Sequence, residues 1–371
     1  MRIITAKTKT RDYPIYISQQ FSEHFPLLIR KNFKDSKKIV LVTNDKVFGI
    51  YEGNIKNTLE KCFLPHEIVI IKDGEENKNL QMAEYIFGKM VDFNVHRNDI
   101  MTAFGGGVIG DLAGFVASTY QRGIRLIHCP TTIVGQVDSS IGGKVAVNYS
   151  GIKNIVGNFY QPHMIFIDPT FNHTLEEKQI IDGLGEVVKY GIVFKKKILD
   201  KLSQSIEDKK EDRLFEMVRS DIFREIIYMC CSIKAMVAQK DEFDINYRNL
   251  LNFGHTVGHC IESAFEFKGL SHGEAVSAGM IVAIDISVSL GLCKNEVKEW
   301  ILELYRKLKL PYRIPEIDMD KIVCALKYDK KFKTMQNKFV LMKGINKPVF
   351  IYDVDRGVII DSIKKSMYNY I

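Results

Sequence analysis

Asp99-Ile100-Met101-Thr102-Ala103-Phe104 runs directly into Gly105-Gly106-Gly107-Val108-Ile109-Gly110, and this stretch decides the fold of the first half of the chain. The first six residues form a short apolar run, the glycines satisfy G-x-G-x-x-G, and Asp111 to Tyr120 has helical spacing. Strand, glycine turn and helix in that order let backbone N–H groups and a helix N-terminus approach a pyrophosphate with no Cβ in the way. Two features set it apart from an ordinary Rossmann fingerprint: the motif lies about a hundred residues into the chain, and no acidic residue follows about 20 positions later to meet a ribose. A dinucleotide bound here needs its ribose held by residues elsewhere.

On either side of this stretch, Ile39 to Thr43, Glu67 to Lys72, Leu126 to Cys129 and Met164 to Asp168 are further short β-branched apolar runs. Helical periodicity falls between several of them, as in Asn79 to Phe93, and this alternation predicts an α/β domain with a parallel sheet. The pattern changes at Thr174-Leu175-Glu176-Glu177, which reads as a capping box. From there to about Lys309 nearly every segment reads as helix. The expected division is an α/β domain over 1–174 and an all-α domain over 175–371.

A chain of 371 residues, 46% hydrophobic and 26% charged, has the composition of a globular protein and is long enough for two cores. Its net charge of +7 is spread along the chain except for short clusters, Lys195 to Lys197 and Lys330 to Lys333, which read as solvated faces. No basic stripe with interleaved aromatics marks a nucleic-acid surface, and a modest cationic excess suits a small anionic substrate. Seven cysteines at irregular spacing, with no C-x-x-C pair, indicate neither a disulfide framework nor a thiolate metal site. No signal-peptide core and no run of about 18 apolar residues occurs, so a soluble cytoplasmic protein is expected, with no membrane partner.

Leu251-Asn252-Phe253-Gly254-His255-Thr256-Val257-Gly258-His259-Cys260-Ile261-Glu262 sets His255 and His259 one helical turn apart, with Glu262 continuing their face. His272 follows in Ser271-His272-Gly273-Glu274, so three of the nine histidines fall within eighteen residues. An isolated i,i+4 pair is commonplace, whereas a third imidazole with carboxylates nearby turns the reading towards a metal. It is not the H-E-x-x-H protease motif, because Thr256 follows His255. In Gly183-Leu184-Gly185-Glu186-Val187-Val188-Lys189, Glu186 and Lys189 share a helical face in an otherwise apolar stretch, either as a surface ion pair or facing a polar site. Asp138-Ser139-Ser140-Ile141-Gly142-Gly143-Lys144 and Gly151-Ile152-Lys153-Asn154 read as glycine-rich loops whose N–H groups and lysines suit phosphate. Arg122 and Arg248 are further candidate cations.

These motifs, with Tyr120-Gln121-Arg122-Gly123, Pro130-Thr131-Thr132, Gly185-Glu186-Val187-Val188-Lys189, Arg248-Asn249-Leu250-Leu251-Asn252-Phe253-Gly254-His255 and His272-Gly273-Glu274, follow one another in the order found in 3-dehydroquinate synthases. The resemblance spans roughly residues 40 to 345. It implies an N-terminal α/β domain for NAD, a helical C-terminal domain for metal and, commonly, a homodimer. By motif position Glu186, His255 and His272 match the zinc ligands, with cobalt suiting the same set. His259 is left as a substrate-contacting or proton-transfer residue. Glu75, Lys78, Gly106, Gly107, Asp111, Thr131, Thr132, Lys153 and Phe171 through Thr174 match the NAD contacts, which resolves the missing ribose partner. Asp138, Lys144, Asn154, Lys189, Lys234, Arg248, Asn252 and Lys338 match the substrate pocket, and Arg122 matches a residue that reaches the neighbouring subunit's site.

The implied reaction oxidises C5 of 3-deoxy-D-arabino-heptulosonate 7-phosphate with NAD, eliminates phosphate, returns the hydride and closes the carbocycle by an aldol step. Proton transfers use His259 or the departing phosphate, and the residues leave that choice open. The chain departs from the family pattern at four places: Val145 follows Gly-Gly-Lys where Thr is usual, Tyr149-Ser150-Gly151-Ile152 precedes Lys153, Asp244 replaces a Glu proposed as proton acceptor, and Asn44 replaces an Asp that often meets the adenine ribose. Asp244 is a methylene short for that role. The rivals are a sister cyclase of sedoheptulose 7-phosphate or glucose 6-phosphate, whose substrates lack the carboxylate that Lys234, Arg248 and Lys338 suit, and a polyol dehydrogenase, which would release NADH.

Overall fold

The computed structural model describes residues 1–206, 212–265, 270–315, 319, 321–322 and 338–367. The Lys330 to Lys333 cluster lies outside them, and Lys195 to Lys197 are exposed, as a solvated face should be. Contacts divide the chain into two units, Met1–Leu175 with Cys230–Phe243, and Glu176–Met229 with Asp244–Ile371.

The first unit is built on β1 (Arg2–Ala6), β2 (Tyr13–Ile17), α1 (Phe21–Asn32), β3 (Ile39–Asn44), α2 (Asp45–Glu60), β4 (His66–Ile71), α3 (Leu80–Asp92), β5 (Ile100–Gly105), α4 (Gly107–Thr119), β6 (Arg125–Pro130), β7 (Lys144–Tyr149), β8 (Ile152–Phe159) and β9 (Met164–Ile167). Its seven-stranded sheet has the order β1-β2-β9-β6-β5-β3-β4, parallel except at the β1–β2 edge. Strands β3 and β5 are buried along their whole length, which is why they read as unbroken apolar runs. The pleat sends alternate side chains to opposite faces. Val40, Val42, Met101 and Ala103 pack with Ile86, Met90, Leu112 and Val116 of α3 and α4. Ile39, Leu41, Ile100 and Phe104 pack with Phe21, Phe25, Ile55 and Leu59 of α1 and α2. Strand order reverses between β3 and β5, since β4 lies outside β3 while β6 and β9 extend the other way, and α/β sheets hold ligands outside the carboxyl ends at such a point.

All five predicted strands are present, within a residue or so at each end. Two glycine-rich segments differ from their reading as loops. Gly151 belongs to the two-residue turn Ser150–Gly151 of the β7–β8 hairpin, both residues at positive φ as a type I′ turn requires, so Ile152, Lys153 and Asn154 begin β8. Lys144 at the end of the other segment begins β7.

The second unit carries α5 (Glu177–Val193), α6 (Lys197–Gln204), α7 (Arg213–Arg219), the first half of α8 (Asp221–Lys240), α9 (His255–Ala264), α10 (His272–Ser289), α11 (Asn295–Lys307), the hairpin β10 (Lys338–Met342) and β11 (Pro348–Tyr352), and α12 (Arg356–Lys365). It is helical with one antiparallel hairpin added, which the all-α expectation lacked. The box opening α5 is Glu176 with Gln179, not Thr174 with Glu177; the Thr174 hydroxyl bonds instead to Tyr51 Oη at 2.6 Å and Phe171 O at 3.1 Å. The expected division also misplaces Cys230–Phe243, which groups with the first unit. There Cys231 Sγ donates to Gln136 O, and Glu242 accepts from Lys9 N, Thr10 N and Gln161 Nε2.

Candidate functional site

In the first unit, candidate residues collect at the carboxyl ends of parallel strands. Glu75 and Lys78 follow β4, Gly106 and Gly107 follow β5, Thr131 and Thr132 follow β6, and Phe171 and Thr174 follow β9. Gly106 is the N-cap of α4 and gives it no side-chain cap, so the first-turn N–H groups remain donors for something else. A Cβ at Gly106 would stand 3.1 Å from Thr132 Cγ2, so a larger residue would make the Thr132 side chain give way by a few tenths of an ångström. Thr132 Oγ1 accepts from Gly135 N at 3.1 Å, and Thr131 N donates to Gly105 O at 3.0 Å.

Lys78 is buried with its ammonium 3.0 Å from Glu75 Oε1 and 3.2 Å from Asp111 Oδ2. Burial acts to lower the Lys78 pKa, but the two carboxylates outweigh it and hold it above its ordinary value. Burial lifts Asp111 to about 6 in spite of Lys78. Asn148 extends the network: its Nδ2 donates to Glu75 Oε1 at 2.8 Å and its Oδ1 accepts from Asn154 N at 2.9 Å. Asp111, Lys144, Asn154 and Phe159 line a cavity of about 430 Å³. Lys234, on the half of α8 that belongs to this unit, donates to Asp138 Oδ1 at 2.5 Å. Lys153 is exposed on β8, and Arg122 is exposed on the turn Tyr120–Arg122, where it follows Gln121 in a second left-handed conformation (φ 62° after 47°). Consecutive non-glycine residues at positive φ are costly, about 1–3 kcal/mol each.

In the second unit, α5, α9 and α10 bring the metal candidates together. Glu186 and Lys189, one turn apart on α5, are both buried, and the Lys189 ammonium pairs with Glu186 Oε2. Neither Glu186 oxygen takes part in a hydrogen bond of normal geometry, although its side chain is only 1% exposed. His255 Nε2 lies 3.7 Å and His272 Nε2 3.8 Å from Glu186 Oε1. One donor atom from each of these three residues lies within 4.8 Å of the others, and so does one from each of His259, Glu262 and His272. Two metal–ligand bonds of about 2.0–2.2 Å span up to about 4.4 Å, so the 3.7 and 3.8 Å separations lie within their reach. Burial, helped by Lys189 and the other two imidazoles, pushes His255 well below its ordinary pKa, so it stands neutral as a ligand must. For His272 burial works downwards too, but the bond to Glu262 and the surrounding carboxylates raise it.

His255 is the first residue of α9, after Gly254 at φ 79°, and His272 is the first of α10, whose start is held by the Ser271–Glu274 capping box. The next N–H, of Gly273, donates to Asp182 Oδ1 at 2.6 Å, and a Cβ there would meet Asp182 O at 2.1 Å, so α10 begins against the backbone of α5. Asp182 was invisible to sequence reasoning, and Glu262 had a place on a face but no role; its Oε2 lies 3.3 Å from His272 Nδ1. Arg248 is buried and Asn252 half-buried on the short helix Tyr247–Asn252. Asp244 (φ 58°) accepts from Asn249 Nδ2 through its carbonyl at 3.2 Å. Lys338 opens β10 with its ammonium 4.0 Å from the centre of the Phe350 ring, a cation–π contact.

The family model described as 3-dehydroquinate synthase N-terminal matches residues 68–182, and the one described as 3-dehydroquinate synthase C-terminal matches residues 183–332. The chain belongs to the 3-dehydroquinate synthase family. A 3-dehydroquinate synthase of Clostridium tetani is 38% identical over 99% of this chain and 95% of its own. The synthase of Thermoanaerobacter pseudethanolicus is 37% identical over 94% and 96%. Among solved structures, 2-deoxy-scyllo-inosose synthase, complexed with carbaglucose-6-phosphate, NAD+ and Co2+, matches with TM-score 0.88 at 25% identity, covering 98% of this chain and all of its own. A 2-epi-5-epi-valiolone synthase from Streptomyces hygroscopicus, with NAD+ and Zn2+ bound, shares the fold with TM-score 0.87 at 24% identity over 97% and 98%. Among the described residues no helix is long and apolar enough to cross a membrane.

Proposed function

We propose that the chain is a 3-dehydroquinate synthase, a phosphate-eliminating cyclase of the shikimate pathway that turns 3-deoxy-D-arabino-heptulosonate 7-phosphate into 3-dehydroquinate with bound NAD and one divalent ion, zinc or cobalt. The observation that carries it is the Glu186 carboxylate, buried without a normal hydrogen bond and faced by two imidazole nitrogens, in a chain of this family. The Lys189 ammonium answers Oε2, and a divalent ion would answer the buried Oε1 that faces the two imidazole nitrogens. Glu186, His255 and His272 are its ligands. The open N-terminus of α4 and the Lys78 ammonium fit a pyrophosphate, with Gly106, Gly107, Asp111, Thr131, Thr132, Lys153, Phe171 and Thr174 as further cofactor residues. When bound, NAD removes and returns one hydride and the ion polarises the hydroxyl being oxidised.

The chain's own side chains do the rest. The buried Arg248 guanidinium offers a fork that fits a carboxylate, and Lys234 and Lys338 add positive charge that the carboxylate-free sugars of the sister cyclases do not need. Lys144 and Asn154, lining one cavity, hold polar groups of the substrate by charge and amide bonds. Lys189 pairs with Glu186, Asp138 orients Lys234, and Asn252 supplies an amide. The exposed imidazole of His259 can take and return a proton at a ring nitrogen. Asp244 is short by a methylene for a proton acceptor, and its backbone carbonyl accepts from Asn249 within its own turn. A cytoplasmic homodimer with Arg122 turned to the neighbouring copy's site completes the reading, and a monomer mass in solution would remove that part.

Offering the heptulosonate phosphate and sedoheptulose 7-phosphate side by side tests the substrate. The acid should yield dehydroquinate and phosphate, and the neutral sugar phosphate little; the reverse preference would make the chain a sister cyclase.

A further inference from the structure

The two imidazoles facing Glu186 are held in the same way at their far nitrogens. His255 Nδ1 lies 3.3 Å from Phe253 O, and His272 Nδ1 lies 3.3 Å from Glu262 Oε2. An acceptor at Nδ1 fixes the proton there and leaves the Nε2 lone pair aimed at Glu186. Burial does much of this for His255, which is 12% exposed, whereas His272 is 41% exposed, so packing alone leaves its ring free to turn. The Glu262 side chain is 7% exposed, so its carboxylate is a fixed point against which a looser ring can be set.

We infer that Glu262 is a positioning residue that accepts the Nδ1–H of His272 and sets this ring for metal ligation. The inference rests on the metal reading above and deepens it. His259, Glu262 and His272 also form a group that could hold an ion of their own. That site would need the His272 Nδ1 lone pair while Glu186 and His255 need the one at Nε2, and a neutral imidazole has only one to give. A single ion per chain, with Glu262 outside its ligand set, follows.

The test is metal affinity, measured by chelator competition on wild type, Glu262→Gln and Glu262→Ala, together with the visible spectrum of each Co2+-loaded protein. Wild type should take up one ion per chain. Glu262→Ala should bind about 10–100-fold more weakly with an altered cobalt spectrum. Glu262→Gln, whose amide oxygen still accepts from Nδ1, should recover most of both, which separates positioning from a general loss of folding. Equal affinity in wild type and Glu262→Ala, a Glu262→Gln variant as weak as Glu262→Ala, or two ions per wild-type chain overturns the inference. A wild type that takes up no ion removes the metal reading itself.

Discussion

His128 is buried in β6 beside Gly110 of α4, and burial pushes its pKa down to about 4. The unfolded chain protonates this group near 6.5 while the folded chain does not until about 4, so in that window the unfolded state binds more protons. Stability therefore falls as pH falls from 6.5 to 4, by about 3 kcal/mol from this residue. His128→Gln should flatten that part of the curve in urea unfolding measured across the window; parallel curves for the two proteins would contradict it. Residues differ in how far the sequence reveals them. Glu186, His255 and His272 stand out because their motifs carry residue types that suit a metal, and the structure brings a donor atom of each within 4.8 Å of the others. Glu262 is not, because its role depends on which imidazole nitrogen faces it. Asp182 is hidden for a similar reason, since only the start of α10 against α5 gives it a partner.

Elements buried on both faces were the easiest to read. The runs that become β3 and β5 are apolar throughout because helices cover both sides of the sheet, while β8 is exposed along most of its length and gives no such signal. The Ser150–Gly151 turn is the cue that would have revealed the β7–β8 hairpin. Contact between helices is decided by what lies across from each residue, and Gly273 is the sharpest case. Gly273→Ala should push α10 from α5, costing about 1–3 kcal/mol by overpacking and displacing His272. Thermal unfolding and metal content by elemental analysis should fall together; a variant matching wild type in both would show that the approach tolerates a methyl group.

At the scale of the molecule, both fold types were legible, but the return of Cys230–Phe243 to the first unit was not. Helical periodicity announces α8 without saying which core takes its second half, and Lys234 meets Asp138 only through that return. The central claim is that oxidation and reduction cancel within one turnover, which distinguishes a cyclase from a polyol dehydrogenase. The direct measurement follows phosphate release and NADH absorbance together on the purified protein supplied with heptulosonate phosphate and NAD. Steady phosphate release with no net gain of NADH is the predicted result, and NADH accumulating in step with turnover would contradict it.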